Sequence, residues 1–203
     1  MQIHPDTIRT FFPELADSVI QKLITFCELV IEKNTQINLI SRKDIEHIVE
    51  AHLLPSLAIY KLFPFKNNCR VLDIGTGGGF PGIPLAITNP GAKFTLIDSI
   101  RKKIYAVQEF AKNLQLNNVR CVWDRVENLQ EKYDIATGRA VKNIPEFCKL
   151  AAPKLKNNGS ILYLTGGDIE PVSNSQVFDL FSLYQQRFCE TKKLLYITPF
   201  LKN

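Results

Sequence analysis

A glycine-rich run at residues 71–80 is the segment of this chain whose composition points most directly to ligand binding. It reads VLDIGTGGGF, so that glycines follow directly on an apolar stretch. Glycine allows the backbone to turn sharply and to approach a ligand without an intervening Cβ. A helix that begins behind such a loop presents free N–H groups to a bound molecule. The run therefore predicts a binding loop between a strand and a helix, with Gly75 and Gly77 at the turn.

Two interpretations of these glycines predict different ligands. Gly77, Gly79 and Gly82 form a literal G-x-G-x-x-G, which is a dinucleotide fingerprint but a weak signal alone. If the turn instead begins at Gly75, where the apolar stretch ends, an acidic residue, Asp73, lies just ahead of it. A carboxylate at that place would repel a pyrophosphate and would suit the ammonium of an amino-acid moiety. This register favours S-adenosylmethionine, which has an ammonium and no phosphate, as the cofactor.

Asp98 is a second acidic residue with a defined position, at the end of the next predicted strand. A carboxylate there can accept hydrogen bonds from both hydroxyls of a ribose. The alternative is an N-cap for the helix that begins near Ile100, a role for which Ser99 competes. A third segment, residues 123–127, follows the strand after that, where Val126 and a backbone N–H could cover and read an adenine. Both segments fit a nucleoside ligand.

Such segments meet only if a sheet brings the ends of its strands to one edge, and the pattern of the chain predicts such a sheet. Apolar residues recur at spacings of three and four in about the first 65 residues, which predicts that this part is helical. It includes a second helical stretch at 44–60, which Pro55 should kink or break. After that, β-rich runs alternate with helical runs, which predicts an α/β fold with a mainly parallel sheet. The predicted strands are residues 69–74, 93–98, 119–123, 133–137, 160–165 and 193–197. The predicted helices of this part begin at residues 81, 100 and 144, and residues 178–201 should add one more.

The bulk composition sets the class of protein. Apolar residues make up 45% of the 203 residues and charged residues 22%, and no apolar run is long enough to span a membrane. The N-terminus has no signal-peptide pattern, so we expect a cytoplasmic protein. A net charge of +5 permits a polyanionic partner but does not require one. The five cysteines form no C-x-x-C pair, which predicts that no metal is bound.

The glycine run continues as FPGIPLAI at residues 80–87, and with it the sequence resembles a known family. It is similar to the RsmG (GidB) methyltransferases, which methylate N7 of a guanine in bacterial 16S ribosomal RNA. Further matching pieces are Asn38-Leu39, His52 with Ser56-Leu57, residues 96–99 with Lys102-Lys103, residues 125–127 and residues 138–140.

The resemblance implies a Rossmann-like, class I S-adenosylmethionine-dependent methyltransferase with helices on both faces of its sheet. It also implies an N-terminal helical extension, residues 1–65, packed on a methyltransferase core, residues 66–203, within one compact domain. The implied partner is 16S ribosomal RNA in the small ribosomal subunit, and we expect the enzyme to be a monomer. The implied cofactor contacts are Gly75, Gly77, Phe80, Asp98, Val126, Glu127 and Arg139.

The chain departs from the family pattern at several places. Lys33 stands where a tryptophan is usual, and Pro55 replaces the aspartate of a His-x-x-Asp-Ser motif. Gly138 replaces the serine of Ser-Arg-Ala, and Thr165 replaces a lysine at the end of the fifth strand. A final strand rich in Val and Ile has no evident counterpart, so the sheet is expected to lack it. Because these changes lie away from the glycine loop, a catalytically weakened RNA-binding relative stays an open alternative.

The chemistry of the implied substrate needs little from an acid–base group. Guanine N7 has a free lone pair, so alignment and desolvation matter more than a general base. No catalytic residue is assigned, and His52 is interpreted as a hydrogen-bonded structural residue. Phosphates of the RNA could be held by cations at Arg42-Lys43, residues 101–103, Lys154, Lys156 and Lys192-Lys193. Two further alternatives are a methyltransferase of the same fold acting on a small molecule or a protein, and an NAD-dependent oxidoreductase.

Overall fold

The computed structural model describes residues 3–198, and a single mixed sheet organises them. Its seven strands lie in the order β3-β2-β1-β4-β5-β7-β6. The strands from β1 to β5 are parallel to one another, whereas β7 runs antiparallel to both β5 and β6. The strands are β1 (Arg70–Ile74), β2 (Lys93–Asp98), β3 (Val119–Trp123), β4 (Tyr133–Arg139), β5 (Leu155–Gly166), β6 (Ser175–Asp179) and β7 (Lys192–Ile197).

Helices cover both faces of this sheet because successive strand residues point to opposite sides. Val71 and Phe94 pack on one side against the N-terminal helices, and Leu72 and Ile97 pack on the other side with Phe147. The arrangement is the predicted Rossmann-like α/β fold. The helices are α1 (Pro5–Arg9), α2 (Asp17–Asn34), α3 (Leu54–Leu62), α4 (Gly82–Thr88), α5 (Arg101–Asn113), α6 (Ile144–Ala151) and α7 (Leu180–Tyr184). None of the helices within residues 3–198 is both long enough and apolar enough to cross a membrane.

The N-terminal helices share their apolar core with the sheet. Phe26 of α2 is fully buried, and its ring lies 4.8 Å from that of Phe80 and 5.9 Å from that of Phe110 in α5. An ion pair between Lys33 and Glu109, with 2.6 Å between Nζ and Oε2, joins the same two helices at the surface. Lys33, a departure from the family pattern, therefore has a partner in this chain. The division at residue 65 stays a prediction, and its residues 1–2 and 199–203 lie outside the described part.

The second predicted helical stretch is not one continuous α-helix. A 3-10 helix (Arg42–His47) is followed by a π-helix (Val49–Leu53), and only then does α3 begin. Pro55 lies in the first turn of α3 but directly follows the π-helix, so its missing N–H leaves the preceding turn one helical donor short. The helix therefore changes from π to α next to Pro55, and the backbone stays helical on both sides of this residue.

The C-terminal part of the sheet corrects one expectation. The sequence predicted a single strand at 193–197, but the chain forms another strand before it, β6, which pairs antiparallel with β7 at the edge of the sheet. The absence of a family strand after residues 193–197 stays a prediction. β6 is a short edge strand whose residues are mostly exposed, so it carries no clear apolar alternation. Of the predicted C-terminal stretch 178–201, the last three residues lie outside the described part.

Candidate cofactor and substrate cleft

A cleft of about 880 Å³ lies at the carboxyl ends of the parallel strands, the edge where open α/β sheets bind ligands. Ile74 at the end of β1, Asp98 at the end of β2 and Arg139 at the end of β4 all line it. The structure brings all seven predicted contact residues together in its wall. They are Gly75, Gly77, Phe80, Asp98, Val126, Glu127 and Arg139.

The glycine loop forms a tight turn over the end of β1. Gly75 and Gly77 both adopt the left-handed conformation, with φ of 65° and 58°. A Cβ added at Gly75 would lie 2.9 Å from a methyl carbon of Val141, so a side chain there would strain the turn and also collide with the cleft wall. The turn therefore requires glycine at residue 75 on two independent grounds.

Asp98 fixes this turn against the end of β2. Its Oδ2 accepts a hydrogen bond from the Gly77 amide at 3.0 Å, and its Oδ1 accepts one from the Ile100 amide at 2.9 Å. The residue that caps α5 is Ile100 itself, so the alternative of Asp98 as the N-cap was wrong. A carboxylate offers about four acceptor sites, and the two amides occupy half of them. Asp98, 8% exposed at the cleft wall, thus keeps acceptor capacity for hydroxyl groups of a ligand.

Asp73 has a different role from the one that the sequence suggested. It has no exposed surface and does not line the cleft. Its Oδ2 accepts a hydrogen bond from the Gly82 amide at 3.2 Å, and its Oδ1 accepts one from the Thr137 hydroxyl at 3.0 Å. Burial raises its pKa to about 6, although both hydrogen bonds act in the opposite direction. Asp73 joins β1 to β4 and to the start of α4, so the argument that it meets an ammonium was wrong.

The loop after β3 forms another side of the cleft. Val126 begins a 3-10 turn and is buried, whereas Glu127 is exposed at the cleft surface. Asp124 Oδ1 accepts hydrogen bonds from the Arg125 amide and from the Asn128 side chain, both at 2.7 Å. These bonds hold the loop in place, so Val126 offers a fixed apolar surface with an acidic residue on either side.

A charged network lies at another part of the cleft wall, around Arg139 and His52. Arg139 Nη1 hydrogen-bonds to His52 Nδ1, and Asp44 Oδ2 lies 3.2 Å from His52 Nε2. Because arginine can only donate, Nδ1 of His52 is the acceptor and its proton resides on Nε2, facing Asp44. Burial, together with the positive charges of Arg139 and Lys192, lowers the pKa of His52 from 6.5 to about 2. His52 is therefore neutral at physiological pH.

The ring of Phe80 packs against both His52 and Arg139 of this network. Its ring lies 5.3 Å from the imidazole of His52 and 5.4 Å from the guanidinium carbon of Arg139. Burial lowers the pKa of Arg139 to about 10, so that the side chain keeps its charge at neutral pH. The peptide bond that follows Phe80 is cis. Phe80 thus places an aromatic ring against a partly buried cation.

Lys192 is a cleft residue that the sequence could not place. It lies at the start of β7, and its Nζ donates to the carbonyl oxygens of Glu50 at 2.8 Å and Ala51 at 3.3 Å. From sequence it was only one of several cations available to hold RNA. In the sheet it lies opposite Gly166, beside Thr165, which stands where the family has a lysine. The antiparallel return of β7 therefore brings a cation close to the place where β5 lacks one.

The remaining predicted cations divide between the cleft and other surfaces. Lys103 lines the cleft, while Lys154 donates to the carbonyl oxygens of Glu127 and Leu129 and so holds the loop after β3. Lys156 pairs with Asp134 at the start of β4, at the edge of the sheet opposite the cleft. Lys156 is therefore not on the cleft side of the molecule.

The change from serine to glycine at residue 138 has a clear packing reason. A Cβ added at Gly138 would lie 2.3 Å from the ring of Phe147, which packs directly on β4 and is fully buried. No side chain fits between this strand and α6, so Gly138 and Phe147 are a matched pair. Among the described residues, no group of three or more His, Cys, Asp or Glu side chains could hold a metal ion.

The sheet also separates the two nucleotide-binding interpretations. The dinucleotide-binding fold has six parallel strands in the order 3-2-1-4-5-6. Here an antiparallel strand, β7, is inserted between β5 and β6. The buried amide of Gly82, third glycine of the dinucleotide pattern, is engaged by Asp73 inside the protein. Neither feature favours a pyrophosphate at this loop.

Comparison with known proteins agrees with this architecture. Residues 19–187 match the GidB family, described as rRNA small subunit methyltransferase G. The ribosomal RNA small subunit methyltransferase G of Christiangramia forsetii is 40% identical, with 95% of this chain and 96% of that protein covered. The protein of the same name from Bacteroides thetaiotaomicron is 38% identical, with 94% and 98% covered.

Solved structures show the same fold at low sequence identity. An S-adenosylmethionine-dependent methyltransferase from Aquifex aeolicus superposes with a TM-score of 0.55 and 16% identity, covering 76% of this chain and 94% of that one. The putative methyltransferase yhhF from Escherichia coli gives a TM-score of 0.54, also at 16% identity, covering 70% and 85%. By sequence and by fold, the chain belongs to the GidB family and is an S-adenosylmethionine-dependent methyltransferase of the class I, Rossmann-like type.

Proposed function

We propose that this protein transfers a methyl group from S-adenosylmethionine to N7 of one guanine in the 16S ribosomal RNA of the small ribosomal subunit. The proposal rests on one cleft with two adjoining ends. The nucleoside end is lined by Asp98 and Val126, and the cationic end is lined by Arg139 and Lys192. Membership of the GidB family supports the RNA substrate.

The residues of the first end fit S-adenosylmethionine. Asp98 has free acceptor sites for ribose hydroxyls, and Val126 offers an apolar surface for an adenine. Three acidic residues, Asp98, Asp124 and Glu127, line this end, which suits a cationic nucleoside and disfavours a polyphosphate. The narrow turn at Gly75 lets the backbone approach the ligand.

When bound, S-adenosylmethionine supplies an electrophilic methyl group on its sulfonium sulfur. The protein then has to align guanine N7 with that methyl group and exclude water from the space between them. N7 attacks with a lone pair that carries no proton, so no residue needs to act as a general base. His52 is consistent with this requirement because both of its nitrogens face protein groups, Arg139 and Asp44.

The cationic end would hold the RNA. Arg139 is fixed by His52 and Phe80, and Lys192 is fixed by the carbonyl oxygens of Glu50 and Ala51. Cations held in this way can contact phosphate oxygens without losing further side-chain freedom. We propose that these two residues orient the target nucleotide, and that no residue of the chain forms a covalent intermediate with it.

The test is a methylation assay on small ribosomal subunits with S-adenosylmethionine labelled in its methyl group. We expect label on one guanine of 16S ribosomal RNA, located by cleavage at 7-methylguanine. Label on protein or on a small molecule, with none in the RNA, would support the alternative substrates. Cofactor binding without label in any acceptor would support the weakened RNA-binding relative.

We also propose that the enzyme works as a monomer in the cytoplasm, where ribosomal subunits are found. Light scattering at assay concentrations, with and without S-adenosylhomocysteine, tests the monomer. A stable dimer under both conditions would contradict it.

A further inference from the structure

Two aromatic side chains stand exposed at the rim of the cleft, with an arginine between them. Trp123, the last residue of β3, is 53% exposed, and Tyr105 of α5 is 50% exposed. The guanidinium carbon of Arg101 lies 5.0 Å from the centre of the Trp123 ring and 5.1 Å from that of Tyr105. The three side chains form one exposed cluster, which we call the aromatic rim.

The polar atoms of the aromatic rim are already satisfied within the protein. The indole N–H of Trp123 donates to the carbonyl oxygen of Ser99 at 3.1 Å, and Nε of Arg101 donates to the Tyr105 hydroxyl at 2.8 Å. These bonds fix the orientation of the rings, while much of their apolar surface stays in contact with water. Exposed apolar area of this size is unfavourable in a free protein, and fixed rings lose little freedom on binding. The aromatic rim is therefore preorganised for a planar, apolar ligand surface.

The charge of this region selects the kind of ligand. Arg101, Lys102 and Lys103 are consecutive, and no carboxylate of the described residues forms an ion pair with any of them. Three unpaired cations beside two exposed rings complement a ligand that is both anionic and aromatic. Proteins that bind single-stranded nucleic acids combine these two features, since bases stack on aromatic rings while cations follow the phosphates.

The aromatic rim is continuous with the cleft. Ser99, which accepts the hydrogen bond of Trp123, lines the cleft, and so do Ile100 and Lys103. Trp123 itself is not part of the cleft wall, so a molecule stacked on its ring lies just outside the space that holds the cofactor. RNA that places one base in the cleft can therefore place a neighbouring nucleotide on the rim.

We propose that the aromatic rim binds an unpaired nucleotide of the RNA substrate by stacking the base on Trp123 and Tyr105, with the adjacent phosphates held by Arg101 and its neighbouring lysines. The proposal rests on the proposed function, because it takes ribosomal RNA as the substrate. It adds a second contact, outside the cleft, that selects RNA in which a nucleotide close to the target is unpaired.

Trp123 is the only tryptophan of the chain, so its fluorescence reports on the aromatic rim directly. The probe is a short single-stranded oligoadenylate, added to protein saturated with S-adenosylhomocysteine so that cofactor binding does not contribute to the signal. We expect strong quenching by the single strand and little by a duplex RNA of the same length. Tyr105→Ala keeps the reporter and should weaken the binding of the single strand. Absence of quenching in the wild-type protein would overturn the proposal.

Steady-state methylation of small subunits and of naked 16S ribosomal RNA gives a second readout. Trp123→Ala should raise KM for both substrates roughly tenfold, the size of the loss of one stacked base, with little change in kcat. Trp123→Phe keeps a ring and is the matched control, with a KM close to that of the wild type. Affinity for S-adenosylhomocysteine should be the same in all three proteins.

The outcomes separate this proposal from the proposed function. If the wild-type enzyme methylates 16S ribosomal RNA and Trp123→Ala has an unchanged KM, the aromatic rim proposal fails alone. A KM that rises only with subunits and not with naked RNA would indicate contact with a ribosomal protein and would also overturn it. If the wild-type enzyme does not methylate the RNA, the proposed function fails, whatever the fluorescence shows.

Discussion

Asp98 is the residue on which the nucleoside end of the cleft depends. It holds the glycine turn through the Gly77 amide, and it keeps acceptor sites directed at the cleft. The sequence placed Asp98 correctly because the ends of neighbouring parallel strands meet at one edge. The same reasoning failed for Asp73, whose side chain points into the protein toward Gly82 and Thr137. Periodicity locates a residue at a strand end but does not show which way its carboxylate is hydrogen-bonded.

Asp98→Asn tests the nucleoside end. The amide has one acceptor in place of a carboxylate, so charge-assisted hydrogen bonds to the cofactor and to the glycine turn are weakened. We expect affinity for S-adenosylhomocysteine, measured by calorimetry, to fall by about 1.5–3 kcal/mol, or roughly 10- to 150-fold. Asp134→Asn removes the same charge at the opposite edge of the sheet and is the control. Equal affinities in Asp98→Asn and wild type would show that Asp98 does not contact the cofactor.

The buried carboxyl of Asp73 should make stability depend on pH. Its pKa of about 6 in the folded protein exceeds the ordinary 3.8, so the folded state binds this proton more tightly than the unfolded state. The contribution to the free energy of unfolding therefore decreases as pH rises from about 4 to about 6, and is constant above. Relative to Asp73→Asn, the wild type should lose about 3 kcal/mol across this range in urea unfolding. A difference that does not vary with pH would contradict the assignment.

At the scale of elements, the strongest predictions came from the alternation of strands and helices. The strands from β1 to β5 and helices α4 to α6 lie close to their predicted places because most of them are buried on a regular face. The edge strand β6 and the π-helix before α3 were not predicted. The first has few buried residues, and the second depends on tertiary packing. The π-helix carries His52 into the cleft wall and holds Lys192 through the carbonyl oxygens of Glu50 and Ala51, so the cationic end could not be assembled from sequence.

The contact between β4 and α6 gives a prediction at this scale. Gly138→Ser restores the residue typical of the family but places a Cβ 2.3 Å from the Phe147 ring. We expect a loss of about 1–3 kcal/mol in the free energy of unfolding from overpacking. Phe147→Leu makes room, so the double variant should lose less than the sum of the two single variants. Additive losses in this double-mutant cycle would show that the two residues do not compete for space.

At the scale of the whole molecule, the N-terminal helices and the sheet share one apolar core. Phe26, Phe80 and Phe110 come from three parts of the chain, and the ring of Phe26 contacts both of the others in the interior. No separate core exists for the N-terminal helices within the described residues, since their apolar side chains belong to the same cluster as one face of the sheet. We propose that the extension of residues 1–65 and the core of residues 66–203 unfold together.

Two probes in different parts of the chain test this cooperativity. Cys27 is fully buried in α2, and Trp123 lies on β3, far from it in sequence. In a variant whose other four cysteines are alanine, alkylation of Cys27 and fluorescence of Trp123 should give the same urea midpoint. Earlier exposure of Cys27 would show that the N-terminal helices unfold independently.

The position of β7 has a consequence for how the protein is made. Because β7 lies between β5 and β6, the last of the described strands to be synthesised occupies an inner place, and β6 has no partner among these strands until β7 has emerged. We expect a nascent chain to hold residues 175–179 unpaired while the first five strands assemble. The same late strand carries Lys192, so the nucleoside end of the cleft can form before the end that receives RNA. A ribosome-bound chain would then acquire cofactor binding before it acquires the complete RNA site.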